Sequence, residues 1–128
     1  MGKKIAVITM GVKLNNEKGY SRFRYLSEFL SDAGYEVDLI TTTFQHWAKA
    51  QRDIDKIEKE TYKFRLRFIY EPGYKKNVDL RRIKSHRIAA RNLAELLEKE
   101  GGYDLIYCEI PPNDVALAAA EYAKRKGI

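Results

Sequence analysis

The stretch Lys4-Ile-Ala-Val-Ile-Thr9 decides the fold class of this chain. It is apolar between its ends and rich in β-branched residues, and no polar residue alternates with them, which predicts a strand buried on both faces. Such strands lie inside parallel sheets. Because open parallel sheets bind ligands beyond the carboxyl ends of their strands, the following loop, from Met10 to Tyr20, is a candidate site.

The segments that follow this strand in the sequence complete a βαβ unit. A helix is predicted from about Ser21 to Ala33, with Ser21 as N-cap and Gly34 as its left-handed stop. A second strand is predicted over residues 36–42. Two strands joined through a helix by short turns form a right-handed crossover, so the architecture is α/β. Residues 43–60 are charge-dense and predict a loop with a short solvated helix.

The second half of the chain repeats strand and helix. Residues 62–70 alternate apolar with mostly basic side chains, which predicts a half-exposed strand at the sheet edge. A long helix then follows, with Asp79 as N-cap, to about Lys99. The residues predicted to face inward from it are Leu80, Ile83, Ala90, Leu93, Ala94 and Leu97.

A further apolar strand, residues 105–110, and a helix that ends near Lys126 complete the pattern. Asn113 or Asp114 is expected to cap this helix. The sequence thus predicts one α/β domain over residues 1–128. We expect a Rossmann-like three-layer sandwich with a mainly parallel sheet of about four strands, and Ile128 at the start of another strand.

The composition excludes several classes of protein. At 128 residues the chain can bury a core without staples. Cys108 is the single cysteine, which excludes an internal disulfide, suits a reducing compartment and predicts a small apolar filler. The sequence has no apolar run of about 20 residues and no signal-peptide pattern. We therefore expect a cytoplasmic protein, either soluble or peripheral at the inner face of the cell membrane.

Positive charge is concentrated in residues 75–91, which we call the basic window. The chain has 24 basic and 18 acidic residues, a net charge of +6. The basic window alone carries +6, because it holds seven basic residues and one acid, Asp79, whereas the remainder has 17 of each. Its basic residues are Lys75, Lys76, Arg81, Arg82, Lys84, Arg87 and Arg91.

The position of these charges predicts an anionic partner. Arg81, Arg82 and Lys84 fall in the first turns of a helix, where the helix dipole disfavours cations. A phosphate-bearing ligand or an anionic membrane surface would offset that cost, with contacts expected at these three residues and at Lys75 and Lys76. Nucleic acid is not expected, because no nucleic-acid-binding module pattern accompanies the charge. A merely solvated basic face is the alternative.

The loop after the first strand lacks the established phosphate-binding motifs. Its glycines, Gly11 and Gly19, are too far apart for a dinucleotide fingerprint, and no Gly-Lys-Ser/Thr follows for a P-loop. Glycines near both ends still allow a ligand to approach the backbone, and the helix behind the loop offers free N–H groups. The alternative is an ordinary surface loop.

Other chemistry-bearing residues are few. His46 and His86 have neither a partner at helical spacing nor a nearby cysteine, so no metal site is expected. Glu109, Asn113 and Asp114 follow a predicted central strand, where α/β proteins place ligand-contacting groups, although a helix cap is the plainer role for the last two. The sequence shows no arrangement typical of a catalytic triad.

Several segments together resemble a known family. They are Lys4-Ile-Ala-Val-Ile-Thr9, Gly19-Tyr-Ser-Arg22, Gly34-Tyr-Glu-Val-Asp-Leu-Ile-Thr41, Phe44-Gln-His-Trp47, Gln51-Arg52, Glu71-Pro-Gly-Tyr-Lys-Lys-Asn77 and Tyr103-Asp-Leu-Ile-Tyr-Cys-Glu-Ile-Pro111. Their order and spacing resemble the amino-terminal lobe of bacterial family 4 glycosyltransferases, especially those that assemble capsular and other surface polysaccharides.

The resemblance implies an incomplete amino-terminal lobe of the two-lobed GT-B fold, because family members continue past Lys126-Gly-Ile128 into another strand. In that family the amino lobe mostly binds the acceptor, the carboxyl lobe binds the nucleotide-sugar donor, and no metal or other cofactor is needed. The implied acceptor-side residues are Gly11, Gly19, Tyr20, Ser21, Arg22, Glu109, Asn113 and Asp114. The chain departs from the family in lacking a Gly-Gly pair in its first loop and in lacking the carboxyl lobe with its paired glutamates.

Two functions therefore stand as expectations. In the first, the chain is the amino-terminal part of a hexosyl-transferring glycosyltransferase that acts on a glycan or lipid-linked acceptor. The 128 residues alone would not transfer sugar, and no catalytic residue is assigned. In the second, the chain is a non-catalytic α/β module that binds an anionic partner through the basic window.

Overall fold

The computed structural model describes residues 2–14 and 17–128, so Met1, Asn15 and Asn16 lie outside the description. The main strands are β1 (Lys4–Ile8), β2 (Glu36–Thr42), β5 (Arg65–Ile69) and β6 (Leu105–Cys108). The helices are α1 (Arg22–Asp32), α2 (Leu80–Glu100) and α3 (Asn113–Lys126). Two short strands, β3 (Phe44–Gln45) and β4 (Ala50–Gln51), pair antiparallel, and 3₁₀ turns follow at Ile54–Lys56 and Lys59–Thr61.

The main strands form one parallel sheet in the order β5-β2-β1-β6. Successive residues of β1 point to opposite faces, as the pleat requires. Ile5 and Val7 join a core that includes Phe23 of α1, and Ala6 and Ile8 join a second core under α2 and α3. Both faces are therefore covered, which explains the continuous apolar run of β1 and confirms the predicted three-layer α/β sandwich.

The end of α1 follows the predicted signal. Gly34 has φ 97°, its N–H donates to the Ser31 carbonyl, and the N–H of Tyr35 donates to the Leu30 carbonyl. These two bonds form a Schellman motif, which satisfies carbonyls at the helix end. At the other end Ser21 is the N-cap residue, but its side chain makes no capping hydrogen bond within the described residues.

The edge position predicted for β5 is confirmed in the described sheet, and its basic side chains are paired. Arg65 donates two hydrogen bonds to Asp38, at 2.8 and 2.7 Å, and the Tyr103 hydroxyl donates a third at 2.6 Å. Burial of Asp38 opposes its ionisation, but the bonds from Arg65 and Tyr103 outweigh that effect and lower its pKa. Arg67 pairs with Glu100, so α2 is tied to the sheet edge through its last residue.

Three expectations about the second half are wrong. Leu80 and Ile83 are exposed, because the buried stripe of α2 runs instead through Ser85, Ala89, Leu93 and Leu97. The strand expected over residues 105–110 ends at Cys108 and is not central, since among the described strands β6 pairs with β1 alone.

The third error concerns the start of α3. Its N-cap residue is Pro112, so Asn113 and Asp114 occupy the first helical turn and neither caps the helix. The predicted N-cap of α2 is confirmed, because the Asp79 carboxylate accepts a hydrogen bond from the Arg81 N–H at 2.9 Å.

Candidate functional site

A cleft of about 270 Å³ opens at the carboxyl edge of the sheet. From β1 the chain proceeds outward to β2 and β5, then returns to the opposite side of β1 at β6. The loops that follow β1 and β6 therefore diverge, and such a switch in strand order creates a crevice where α/β proteins bind ligands. Its lining comes from these two loops, from Arg22 at the start of α1, from the β3 region, from the loop after β5 and from α2.

Aromatic side chains form one wall of the cleft. Tyr20 and Trp47 meet edge to face, with ring centroids 5.2 Å apart, and they are 62% and 45% exposed. Gly19 has φ 133°, and a Cβ atom there would lie 2.6 Å from the Trp47 ring. Glycine is thus required at this position on both conformational and steric grounds. A Cβ at Gly11 would meet only the Glu109 carboxylate, at 3.8 Å, an ordinary contact.

A carboxylate and a guanidinium face each other across the switch point. Glu109 Oε1 accepts a hydrogen bond from the Thr9 hydroxyl at 2.8 Å, which fixes the carboxylate of the β6 loop to the end of β1. Its other oxygen lies 3.4 Å from Arg22 Nη2. Because the Arg22 side chain is mostly exposed, this ion pair contributes little to stability. The guanidinium remains accessible to a polar ligand, whereas the Glu109 side chain is 17% exposed.

A buried carboxylate forms the floor beside α2. Glu71 Oε2 accepts a hydrogen bond from the Ser85 hydroxyl at 2.7 Å, and Ser85 Oγ accepts one from the Gly73 N–H at 2.9 Å. The same Glu71 oxygen lies 3.9 Å from His86 Nε2. An acid and an imidazole thus meet at the base of the cleft, which is an arrangement able to hold or accept a proton.

Two histidines share this floor with Tyr74. His46 Nδ1 and the Tyr74 hydroxyl lie 2.6 Å apart in a hydrogen bond, and the His86 ring meets the Tyr74 ring edge to face at 5.7 Å. Burial, together with nearby Lys49 and Arg82, lowers the pKa of His46. Burial also lowers the pKa of His86, although Glu71 opposes the shift. Both imidazoles are therefore neutral at pH 7, where each can donate one hydrogen bond and accept another.

We expect His46 and His86 to titrate below their ordinary pKa of 6.5. Between the folded pKa values and about pH 6.5, the unfolded chain then binds more protons than the folded chain. The two histidines therefore contribute to the free energy of unfolding above about pH 6.5, and this contribution is lost as the pH falls through their folded pKa values. Imidazole C2 proton shifts followed by NMR from pH 8 to 4 measure both pKa values, with the urea-unfolded chain as control. A pKa above 6.5 for either histidine in the folded chain would show that burial does not control its titration.

Buried Arg52 anchors the loop that follows β1, Met10 to Tyr20, to the end of β2. Its guanidinium donates to the carbonyls of Thr42 and Val12, at 2.8 and 3.1 Å, and forms an ion pair with Glu17. Val12 and Leu14 of the same loop are fully buried. The loop is thus an anchored part of the core in its described residues and not an ordinary surface loop. The predicted site residues Gly11 to Arg22 span Asn15 and Asn16, which lie outside the description.

The structure brings together about half of the predicted acceptor-side residues. Gly11, Tyr20, Arg22 and Glu109 line the cleft, and Gly19 supports its wall. Ser21 is not among the lining residues described. Asn113 and Asp114 line a neighbouring groove, which shares Arg82 and His86 with the cleft. Within the basic window Arg82 reaches the cleft, whereas Lys75, Lys76, Arg81 and Lys84 are exposed on the outside.

Sequence reasoning missed much of the lining. The missed residues are Phe44, His46, Trp47, Glu71, Tyr74 and His86. The two histidines are 40 positions apart in the sequence and were expected to stand alone, but Tyr74 lies between them in space. One signal was available: an aromatic and histidine cluster at residues 44–47 directly follows the carboxyl end of a predicted strand, where side chains reach a crevice.

Residues for metal binding do not converge in the described part of the chain, since no group of three or more His, Cys, Asp or Glu side chains could hold an ion there. Burial raises the pKa of the Cys108 thiol to about 11, which makes a reactive thiolate unfavourable.

Among residues 2–14 and 17–128, no helix combines the length and hydropathy of a membrane span.

Two comparisons with known proteins, one against family models and one against curated proteins, were made for the sequence. No protein-family model matches the sequence. A search of curated proteins likewise finds no match. The functional conclusion therefore depends on the geometry of the cleft and on the segments quoted above.

Proposed function

We propose that this domain supplies the acceptor side of a sugar-transfer reaction, as the amino-terminal lobe of a glycosyltransferase with the GT-B fold. The observation that carries the proposal is the cleft at the switch point between β1 and β6, with aromatic rings on one wall and hydrogen-bonding groups on its floor. The resemblance of the quoted segments to family 4 enzymes supports the same assignment.

The lining matches the chemistry of a sugar ring. A pyranose has apolar C–H faces and a polar edge of hydroxyl groups, so it needs a flat apolar surface beside donors and acceptors. The exposed rings of Tyr20 and Trp47 supply the surface. Arg22 and Glu109 supply donors and acceptors at one side of the cleft, and neutral His46 supplies them at the floor. Pockets of this composition are typical of small-molecule sites.

The composition of the first loop, Met10 to Tyr20, favours binding of the nucleotide-sugar donor outside this domain. The loop has no closely spaced glycines to receive a pyrophosphate, and the Glu109 carboxylate would repel one at this position. A nucleotide sugar would then be held by a second lobe, and the acceptor hydroxyl would be presented from this one. On this proposal the domain acts at a cytoplasmic membrane face in polysaccharide synthesis, and it does not transfer sugar by itself.

The test is saturation-transfer NMR with a panel of methyl glycosides and disaccharides. We expect at least one sugar to receive saturation through its C–H face, and the signal to fall about fivefold in Trp47→Ala, because one aromatic contact contributes about 1 kcal/mol. Tyr35→Ala, which removes an exposed ring from the turn after α1, is the matched control and should bind as the wild type does. Equal loss in both variants, or no signal from any sugar, would overturn the proposal.

A further inference from the structure

The first turns of α2 expose aliphatic side chains in place of burying them. Val78, just before the helix, is 94% exposed, and Leu80 and Ile83 are 82% and 49% exposed. The spacing of Leu80 and Ile83 suits a core-facing stripe, yet α2 turns Ser85 and Ala89 to the core. Exposure of one such residue needs no explanation, but three within six positions form a patch, and patches of this kind mark interaction surfaces.

Basic side chains surround this aliphatic patch. Lys75 and Lys76 precede it, Arg81 and Lys84 alternate with it, and Arg87 and Arg91 follow on later turns. Among the described residues, none of these six forms an ion pair with a carboxylate. The window's single acid, Asp79, is engaged as the N-cap of the helix. The unpaired cations lie near the positive end of the α2 dipole, so the surface carries a positive potential that an anionic partner would relieve.

The aliphatic and basic groups also line one shallow groove. Three aliphatic residues, Leu80, Ile83 and Ile88, line it together with three basic residues, Lys84, Arg87 and Arg91. Aliphatic groups flanked by lysine and arginine are typical of helices that lie in the interface of a lipid bilayer. There the apolar side chains enter the boundary between headgroups and acyl chains while the cations contact lipid phosphates. A free phosphate ligand would explain the cations but not Val78 and Leu80.

We propose that residues 75–91 form a docking surface for an anionic lipid membrane, with Val78 and Leu80 inserted and the surrounding basic residues in contact with lipid headgroups. The docking surface adjoins the cleft, because Arg82 and His86 of the same helix line the cleft. Docking would thus hold the cleft beside the headgroup plane, where it could reach an acceptor carried on a lipid. The docking itself does not depend on the proposed sugar-transfer function.

The test is co-sedimentation of the protein with vesicles of phosphatidylcholine alone and with vesicles containing about one third phosphatidylglycerol. We expect binding to the anionic vesicles that weakens as salt is raised, because the ionic contacts are screened. Arg81→Glu combined with Lys84→Glu should weaken binding at least about 25-fold, since each basic residue near the surface contributes about fivefold. Lys3→Glu combined with Lys124→Glu makes the same change in net charge on distant exposed residues, and should bind nearly as the wild type does.

The aliphatic contribution needs its own comparison. Val78→Ser combined with Leu80→Ser should weaken vesicle binding at least about tenfold, because it removes the inserted side chains and leaves every charge in place. Phe29→Ser combined with Leu117→Ser removes exposed apolar groups from α1 and α3 and should have little effect. All four variants alter exposed residues and should fold, which circular dichroism verifies.

Three results would overturn the docking proposal. They are equal binding to both kinds of vesicle, equal loss in the docking and control variants, and absence of binding to either vesicle. A concentration-dependent dimer that Val78→Ser and Leu80→Ser abolish, in a chain that ignores vesicles, would assign the patch to a second copy of the chain. Sugar binding in the cleft is measured without lipid, so either proposal can fail while the other stands.

Discussion

Replacing Arg52 with alanine is expected to lower the free energy of unfolding by about 3–5 kcal/mol. The side chain of Arg52 is fully buried, and its guanidinium joins the end of β2, at Thr42, to two points of the first loop, Val12 and Glu17. The variant would leave two carbonyls without their donor and a carboxylate without its counter-ion. Since removal of one partner from a buried pair leaves an uncompensated group, the loss should exceed that of an ordinary side-chain truncation.

Urea unfolding followed by circular dichroism measures this loss of free energy. Two further variants serve as controls for the truncation and for the charge. Arg91→Ala truncates an exposed arginine and should change stability by no more than about 0.5 kcal/mol. Arg52→Lys keeps the charge but loses the planar fork, so it should restore only part of the stability. If Arg52→Ala cost less than about 1 kcal/mol, the first loop would not depend on this residue and its geometry at the cleft would need another explanation.

Replacing Gly73 with alanine is the second substitution from which we expect a large effect. Gly73 has φ 89°, and a Cβ atom there would overlap the ring of Phe44, a buried residue that lines the cleft. The conformation costs an alanine about 1–2 kcal/mol, and the overlap adds about 1–3 kcal/mol of overpacking. The variant should therefore lose about 2–5 kcal/mol and displace Phe44 from Tyr74, which it contacts at 5.0 Å between ring centroids.

The variant Gly34→Ala separates the cost of the backbone conformation from the cost of the overlap with Phe44. Gly34 has a similar φ of 97°, but a Cβ atom there meets nothing within 4 Å. It should therefore show the conformational cost alone, about 1–2 kcal/mol. The difference between the two free energies of unfolding, measured in parallel urea titrations, reports the Phe44 overlap. Equal losses would show that the loop after β5 relaxes away from Phe44.

Local patterns in the sequence were enough to predict most of the fold. The unbroken apolar run of β1 indicated a strand covered on both faces, and the alternation from Tyr62 to Tyr70 indicated a half-exposed strand at the sheet edge. Gly34 and Asp79 marked helix ends because each has a specific conformational or hydrogen-bonding role. These signals are local, and their physical causes act within a few residues.

The predictions for α2 and β6 were wrong where tertiary packing, and not the local sequence pattern, decides which residues are buried. Leu80 and Ile83 were expected on the same face of α2 as Leu93 and Leu97, but the buried face of the helix carries Ser85 and Ala89 in its first half, and Leu80 and Ile83 lie outside that face. The central position expected for β6 was wrong for the same kind of reason. An apolar strand gives no local signal of how many neighbours it has, and Leu105 and Tyr107 are exposed.

The cleft was predictable in location but not in composition. Strand topology places a crevice after β1 and β6, and the residues chosen there, Gly11, Arg22 and Glu109, do line it. The floor could not be predicted, because it joins His46, Tyr74 and His86 from three separate segments. Only the packing of the β3 region against the start of α2 brings these side chains within hydrogen-bonding or ring contact.

The single tryptophan of the chain is a direct reporter of ligand binding in the cleft. Trp47 lies on the cleft wall, so its fluorescence reports ligands that bind there. Parallel titrations with methyl glycosides and with nucleotide sugars compare acceptor with donor. We expect a glycoside to give a saturable change, with a dissociation constant of about 1 mM, that weakens in Glu109→Gln, and no tighter binding by any nucleotide sugar. Emission that responds to no glycoside, or responds more tightly to a nucleotide sugar, would contradict an acceptor-side cleft.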